Sequence, residues 1–138
     1  MARFTDGYTG QLYEEEVLGC CIAVHRGYMR WAQAIEEVRT HQPRAKTPVA
    51  AALEREVRRQ AGSEARFYTA VRSTLDVMHG CDAFFEYCGV VVTIDLTINP
   101  HKDCGKADVI ISRDDVADLA ALAGRITREI HTKLRRRA

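Results

Sequence analysis

Asp82 and Asp95 are the residues whose type and spacing most suggest chemistry: a carboxylate pair able to hold a divalent cation. Both fall in segments that read as β-strands, 82–87 and 90–98, with Cys88-Gly89 between them. Side chains along a strand alternate between its two faces. A two-residue turn at Cys88-Gly89 pairs Tyr87 with Val90, Glu86 with Val91, Phe84 with Thr93 and Asp82 with Asp95. Cross-strand partners share a face, with Cβ atoms about 4.5–5.5 Å apart. The intervening residues Val90, Val92, Ile94, Leu96 and Ile98 are all apolar and define the core face. Asp82 and Asp95 then lie on the more polar face, with Glu86, Thr93 and Thr97. Like charges opposed in this way destabilise a hairpin. They need solvent, a lysine, a raised pKa or a bound cation.

Magnesium suits such a pair, because it takes oxygen ligands and is commonly held by one or two carboxylates plus substrate phosphates. Lys102 and Lys106 follow closely, and an ammonium there could neutralise a phosphate or help activate water. The plainer alternative makes Asp82 the start of a strand and Asp95 half of a surface ion pair with Lys102 or Lys106. Such a pair is worth about 0–1 kcal/mol.

Other reactive residues surround the hairpin. His79, Cys81, Cys88, His101 and Cys104 are zinc-type ligands, and His101-x-x-Cys104 has the spacing of half a site. No second compact pair accompanies it, so the cysteines read better as small apolar fillers. No Gly-rich loop with P-loop spacing is present. Arg55, Arg58, Arg59 and Arg66 cluster, and Arg135, Arg136 and Arg137 form a second group. Both could meet phosphates, although each also reads as an ordinary solvated face or tail.

The elements that must position these residues are legible from periodicity. Tyr13, Val17, Cys20, Val24, Tyr28, Trp31, Ile35 and Val38 recur at helical spacing, predicting one long helix over 11–40 or two helices broken near Gly27. The acidic run 14–16 lies in the first turns, where the helix dipole favours negative charge. Thr47-Pro48 reads as an N-cap with proline at the first helical position. Val49, Leu53 and Val57 line that helix, which Gly62 ends. A further helix is predicted from Ser63 to about Met78, with Phe67, Val71, Leu75 and Met78 buried. The hairpin and a third strand over 107–111 follow. Ser112 with Asp115 resembles a capping box that starts a last helix carrying Val116, Leu119, Ala123, Ile126, Ile130 and Leu134. The predicted class is α+β: N-terminal helices, a small mixed sheet containing the hairpin plus a third strand, and a C-terminal helix.

At 138 residues the chain suits a single domain, with a long N-terminal helical region over 1–42. Hydrophobic residues make up 46% and charged residues 28%, which fits a globular protein able to bury a core without disulfides. Five cysteines, two of them adjacent, argue against a disulfide framework. No apolar run is long enough to span a membrane, and residues 1–6 lack a signal-peptide core. The expectation is a cytoplasmic protein with no membrane partner. A net charge of +1 does not by itself mark a nucleic-acid binder.

Taken together, the segments Gly80-Cys81-Asp82-Ala83-Phe84-Phe85-Glu86 and Thr93-Ile94-Asp95-Leu96-Thr97 resemble the PD-(D/E)XK nuclease superfamily. Its core is a helix carrying a glutamate, a hairpin carrying Asp and then (Asp/Glu)-x-Lys, a third strand and a helix. The twelve residues between the aspartates are similar to the family's usual separation. The resemblance implies a restriction-endonuclease-like core over 47–136 and a metal-dependent DNA endonuclease. Asp82 and Asp95 would bind Mg²⁺ or Mn²⁺, and Lys102 or Lys106 would act at the reacting phosphate. A helical glutamate among Glu54, Glu56 and Glu64 would contribute, with Glu64 taken as catalytic. DNA phosphates would meet Arg55, Arg58, Arg59 and Arg66, and a homodimer would suit cleavage of both strands. Thr97 departs from the pattern, standing where the family has its lysine. The competing function is a non-catalytic DNA-binding or protein-interaction domain of the same or an unrelated α+β fold.

Overall fold

The computed structural model describes residues 13–21, 23–41, 47–97 and 107–137. Residues 13–18 are helical. Helix α1 (Trp31–Thr40), helix α2 (Pro48–Gln60), strand β1 (Arg66–Thr69) and helix α3 (Thr74–His79) follow. Strands β2 (Ala83–Tyr87), β3 (Val90–Leu96) and β4 (Val109–Ile111) precede the short helix α4 (Arg113–Val116) and the long helix α5 (Leu119–Arg137). The class is α+β, as expected, with a mixed sheet of four strands in the order β1-β2-β3-β4. The first three strands are antiparallel, and β4 runs parallel to β3.

The hairpin has the expected register, from Tyr87 opposite Val90 to Ala83 opposite Ile94. Its turn residues Cys88 and Gly89 both have positive φ, 51° and 84°. Two such residues make the tight turn whose twist matches the flanking strands. Val90, Val92, Ile94 and Leu96 are buried with Phe67 and Phe85 beneath α2 and α5, in one core. The N-cap of α2 is the expected one, since Thr47 Oγ1 accepts the Ala50 N–H at 3.1 Å. Ser112 and Asp115 likewise form a capping box, although the helix it starts stops at Val116 and α5 begins afresh at Leu119.

The second sheet face is also covered. Tyr68 and Phe84 stack with ring centroids 4.9 Å apart and are buried with Ala34, Ile35 and Val38 of α1 and Leu75 of α3. The more polar face that carries Asp82 and Asp95 is therefore interior.

The single long helix over 11–40 does not form, whereas its alternative, two helices with a break that includes Gly27, does: residues 13–18 and 31–40 are helical, and 19–21 and 23–30 are not. Gly19 leaves the helix at φ 82°, and the backbone beyond it bonds elsewhere. The Cys21 and His25 N–H groups donate to the Val71 and Arg72 carbonyls at 3.0 and 2.9 Å. Part of the supposed apolar stripe faces outward, with Val24, Tyr28 and Trp31 exposed.

The helix expected over 63–78 is also replaced, by β1, a turn and α3. Phe67, Val71 and Leu75 imitate helical spacing and are all buried. Phe67 and Tyr68 instead point to opposite faces of the sheet and into separate cores, which hides the alternation of a half-buried strand. Met78 remains 44% exposed.

Candidate functional site

Asp82 immediately precedes β2. Its N–H donates to the Ile94 carbonyl at 2.9 Å, and its own carbonyl accepts the Ala70 N–H at 2.8 Å. The paired register ends at Ala83–Ile94, and the Asp82 N–H goes to that same Ile94 rather than to Asp95; the two carboxyls are nonetheless neighbours, since their side chains hydrogen-bond. Both side chains are buried, Asp82 to 3% exposure and Asp95 to 7%. The Leu96 N–H donates to Asp82 Oδ2 at 2.8 Å, fixing one carboxyl oxygen against β3.

Two more acids reach the same place, one from far away in the chain and one from six residues before Asp82. Glu14 comes from the helical segment over 13–18 and Asp76 from α3. Ligand oxygens of Glu14, Asp76 and Asp82 all lie within 4.8 Å of one another. The Asp82 carboxyl also hydrogen-bonds with Asp95 and Asp76. Local contacts set up this convergence. Asp76 Oδ2 accepts the Arg72 N–H at 2.8 Å, and Ser73 Oγ donates to the Ala70 carbonyl at 2.6 Å. Next to Glu14, Glu15 forms an ion pair with Arg72, while Val17 and Leu18 anchor the segment in the core.

This crowding is costly for a charge. Burial pushes the Asp82 carboxyl well above the usual carboxylate range, and the acids Asp95, Glu14 and Asp76 push the same way. Protonating Asp82 relieves the repulsion, and so would a cation. The donor set fits one: it consists of carboxylate oxygens, the hard ligands that suit Mg²⁺ or Mn²⁺ rather than thiolate-preferring metals. Glu14, Asp76 and Asp82 could therefore hold a metal ion, with Asp95 beside them.

The remaining expected site residues do not gather here. Lys102, Lys106, His101 and Cys104 lie outside the described residues. At Thr97, where the resemblance would place a lysine, the N–H donates to the Ile111 carbonyl at 2.8 Å, so this position ties β3 to β4. Glu64 lines a cavity with Arg58, Arg66, Glu86 and Cys88-Gly89 at the turn end of the hairpin. The five residues of β2 separate that turn from Asp82, six residue steps or roughly 20 Å. Arg137 joins the turn end, donating through Nη1 to the Cys88 carbonyl at 2.6 Å. Members of both arginine groups thus meet there.

Arg55 and Arg59 are exposed on α2, with Arg59 paired to Glu56 at 2.8 Å. Glu54 is buried and accepts the Phe67 N–H at 2.8 Å, which binds α2 to β1. Cys20, Cys21, Cys81 and Cys88 are free thiols. Burial pushes the Cys81 thiol up to about 12, as suits an inert filler.

Sequence reading missed Glu14, Asp76 and Asp108. Asp108 Oδ2 accepts the Thr93 N–H at 2.9 Å and the Lys133 ammonium at 2.6 Å, securing the approach to β4. Asp76 had a faint signal, because Ser73-x-x-Asp76 has the spacing of a capping box. Nothing local to Glu14 distinguishes it from Glu15 and Glu16.

No protein-family profile matches the chain, and no curated protein or solved structure is significantly similar to it. Among the described residues, no helix is long and apolar enough to cross a membrane.

Proposed function

We propose that this protein is a metal-dependent nuclease that hydrolyses DNA phosphodiester bonds at the Asp82–Asp95 end of the sheet. The observation that carries the reading is the convergence of Glu14, Asp76 and Asp82, with Asp95 bonded to Asp82, from four separate parts of the chain. Two buried carboxyl groups with two half-buried ones beside them are costly to hold together, whereas metal hydrolases need such a cluster. The element order also agrees with the PD-(D/E)XK resemblance. A helix with a buried glutamate, Glu54 on α2, precedes the hairpin, and β4 and α5 follow it.

Asp82, Asp95, Asp76 and Glu14 would hold Mg²⁺ or Mn²⁺. The ion would supply Lewis acidity, offsetting phosphate charge and easing the ionisation of water. The chain's own contributions are distinct. Asp82 gives up its proton when a cation enters, while the Leu96 N–H keeps its carboxyl oriented. Lys102 or Lys106 would position the phosphate or the attacking water. Arg58, Arg66 and Arg137 at the turn end lie roughly 20 Å away, a span of about six phosphates along a strand, where they would meet backbone charge.

The test is cleavage of supercoiled DNA with Mg²⁺ or Mn²⁺, together with calorimetric titration of each metal. Asp95→Ala should abolish cutting, and Asp82→Ala should abolish metal uptake. Lys102→Ala and Lys106→Ala separate the two lysines. Equal cutting by wild type and Asp95→Ala would identify a contaminant and overturn the site. Metal-independent DNA binding without cutting would favour the non-catalytic alternative.

A further inference from the structure

We propose that the exposed ledge formed by Tyr28, Trp31 and the His79 ring stacks an unpaired nucleobase, so that the neighbouring carboxylates act on single-stranded or locally unpaired nucleic acid. The choice of ligand rests on the nuclease reading; the ledge itself stands on independent observations.

The segment His25-Arg26-Gly27-Tyr28-Met29-Arg30-Trp31 interleaves cationic and aromatic residues, and no Asp or Glu occurs between Val17 and Ile35. Tyr28 is 71% exposed and Trp31 43%, and Arg26 and Arg30 are exposed beside them. Large aromatic side chains left in water beside cations match the surfaces that hold single strands, where bases stack on rings and cations track the backbone.

The ledge is built rather than loose. The His25 N–H donates to the Arg72 carbonyl at 2.9 Å, and Thr74 Oγ1 donates to the Gly27 carbonyl at 3.3 Å. His79 Nε2 donates to the Met29 carbonyl at 2.7 Å, which places a proton on that nitrogen and fixes the ring plane. The His79 ring centre lies 6.2 Å from that of Tyr28 and 5.9 Å from that of Trp31. Preordering lowers the entropy lost when a ligand docks.

Its position suits a substrate. A cavity of about 250 Å³ is lined by Trp31, His79, Gly80, Cys81, Thr93 and Ala107. Gly80 and Cys81 lead directly into Asp82. Thr93 shares the face of Asp95 two residues away, roughly 7 Å along the strand. A base seated against Trp31 would bring its flanking phosphodiester toward the carboxylates. Duplex bases are already stacked on one another and cannot present a free face to the ledge.

The experiment titrates the full chain with a short oligothymidylate in EDTA, following the fluorescence of Trp31, the only tryptophan. Quenching is expected. By anisotropy of a labelled oligonucleotide, Trp31→Ala and Tyr28→Ala should each weaken binding roughly 5- to 100-fold. Trp31→Phe should retain most of it, and a blunt duplex should be insensitive to all three changes. Circular dichroism checks that the variants fold. Unquenched fluorescence, or wild-type affinity in both alanine variants, overturns the proposal. So does self-association that the alanine changes abolish, with no oligonucleotide bound, since that assigns the ledge to a second copy of the chain.

The chelator keeps this result separate from the nuclease reading. Binding without cleavage under either metal would overturn the nuclease alone. Cleavage with unchanged strand preference in both alanine variants would overturn the ledge alone.

Discussion

Asp82 Oδ2 accepts the Leu96 N–H at 2.8 Å, and Leu96 directly follows Asp95. One oxygen of Asp82 therefore belongs to the architecture of the hairpin. The carboxyl is clamped to β3 beside its acidic partner, and this bond orients it within the cluster.

That dual role separates two substitutions. Asp82→Asn keeps an oxygen able to accept the Leu96 N–H and removes a buried acid. It should match or exceed wild-type stability in EDTA while losing divalent-metal uptake. Asp82→Ala leaves the buried Leu96 N–H without its acceptor and should cost about 1–3 kcal/mol. Urea unfolding with and without Mg²⁺ measures both. An asparagine variant as unstable as the alanine variant would contradict the clamp.

The raised Asp82 pKa gives the metal-free protein an uncommon pH dependence. Its ordinary value is 3.8, and burial with neighbouring acids lifts it in the fold. Above about pH 4 the folded state holds a proton that the unfolded chain has released, so the group costs stability as pH rises. Glu15, Glu56 and Asp115 have lowered values and complete their opposite contribution by about pH 6. In EDTA, Tm should therefore fall between pH 6 and pH 8, and fall less in Asp82→Asn. Metal affinity should rise over the same interval, because uptake displaces the proton. A flat Tm profile in wild type would show that Asp82 ionises normally.

Asp108 should matter more than its half-buried position suggests. Its carboxylate joins Thr93 of β3 to Lys133 of α5, and its N–H donates to Thr93 Oγ1 at 2.8 Å. Asp108→Ala should cost about 2 kcal/mol, in the range of hydrogen bonds to charged groups. It should also speed amide exchange at Val109–Ile111 relative to β2. Unchanged exchange in β4 would place the strand's anchorage elsewhere.

Thr127 offers a stabilising change. Its hydroxyl is buried under the sheet without a hydrogen-bond partner among the described residues. Thr127→Val keeps the shape and removes the unpaired polar group, so stability should rise by about 1 kcal/mol. A drop in the urea midpoint would show that the hydroxyl is satisfied in solution.

The sequence alone determined the hairpin, because the unbroken apolar alternation from Val90 to Leu96 and a two-residue Cys88-Gly89 turn admit one register. That register brought Asp82 next to Asp95, although the strand pairing itself ends at Ala83–Ile94. The N-cap at Thr47 and the capping box at Ser112 were legible for the same reason: each depends on residues within a turn of one another. Where two structures share a spacing, local reading failed. Phe67, Val71 and Leu75 have the spacing of one helix, and only the pairing of Phe67 and Tyr68 with Phe85 and Phe84 makes a strand of the first of them. The covering of the aspartate face, the break after Gly19 and the arrival of Glu14 were decided by tertiary structure. They depend on backbone bonds such as Cys21 to Val71 and on packing between residues tens of positions apart, which no local period records. The acidic pair was thus written in the sequence; its burial and its two further carboxylates were supplied by the fold.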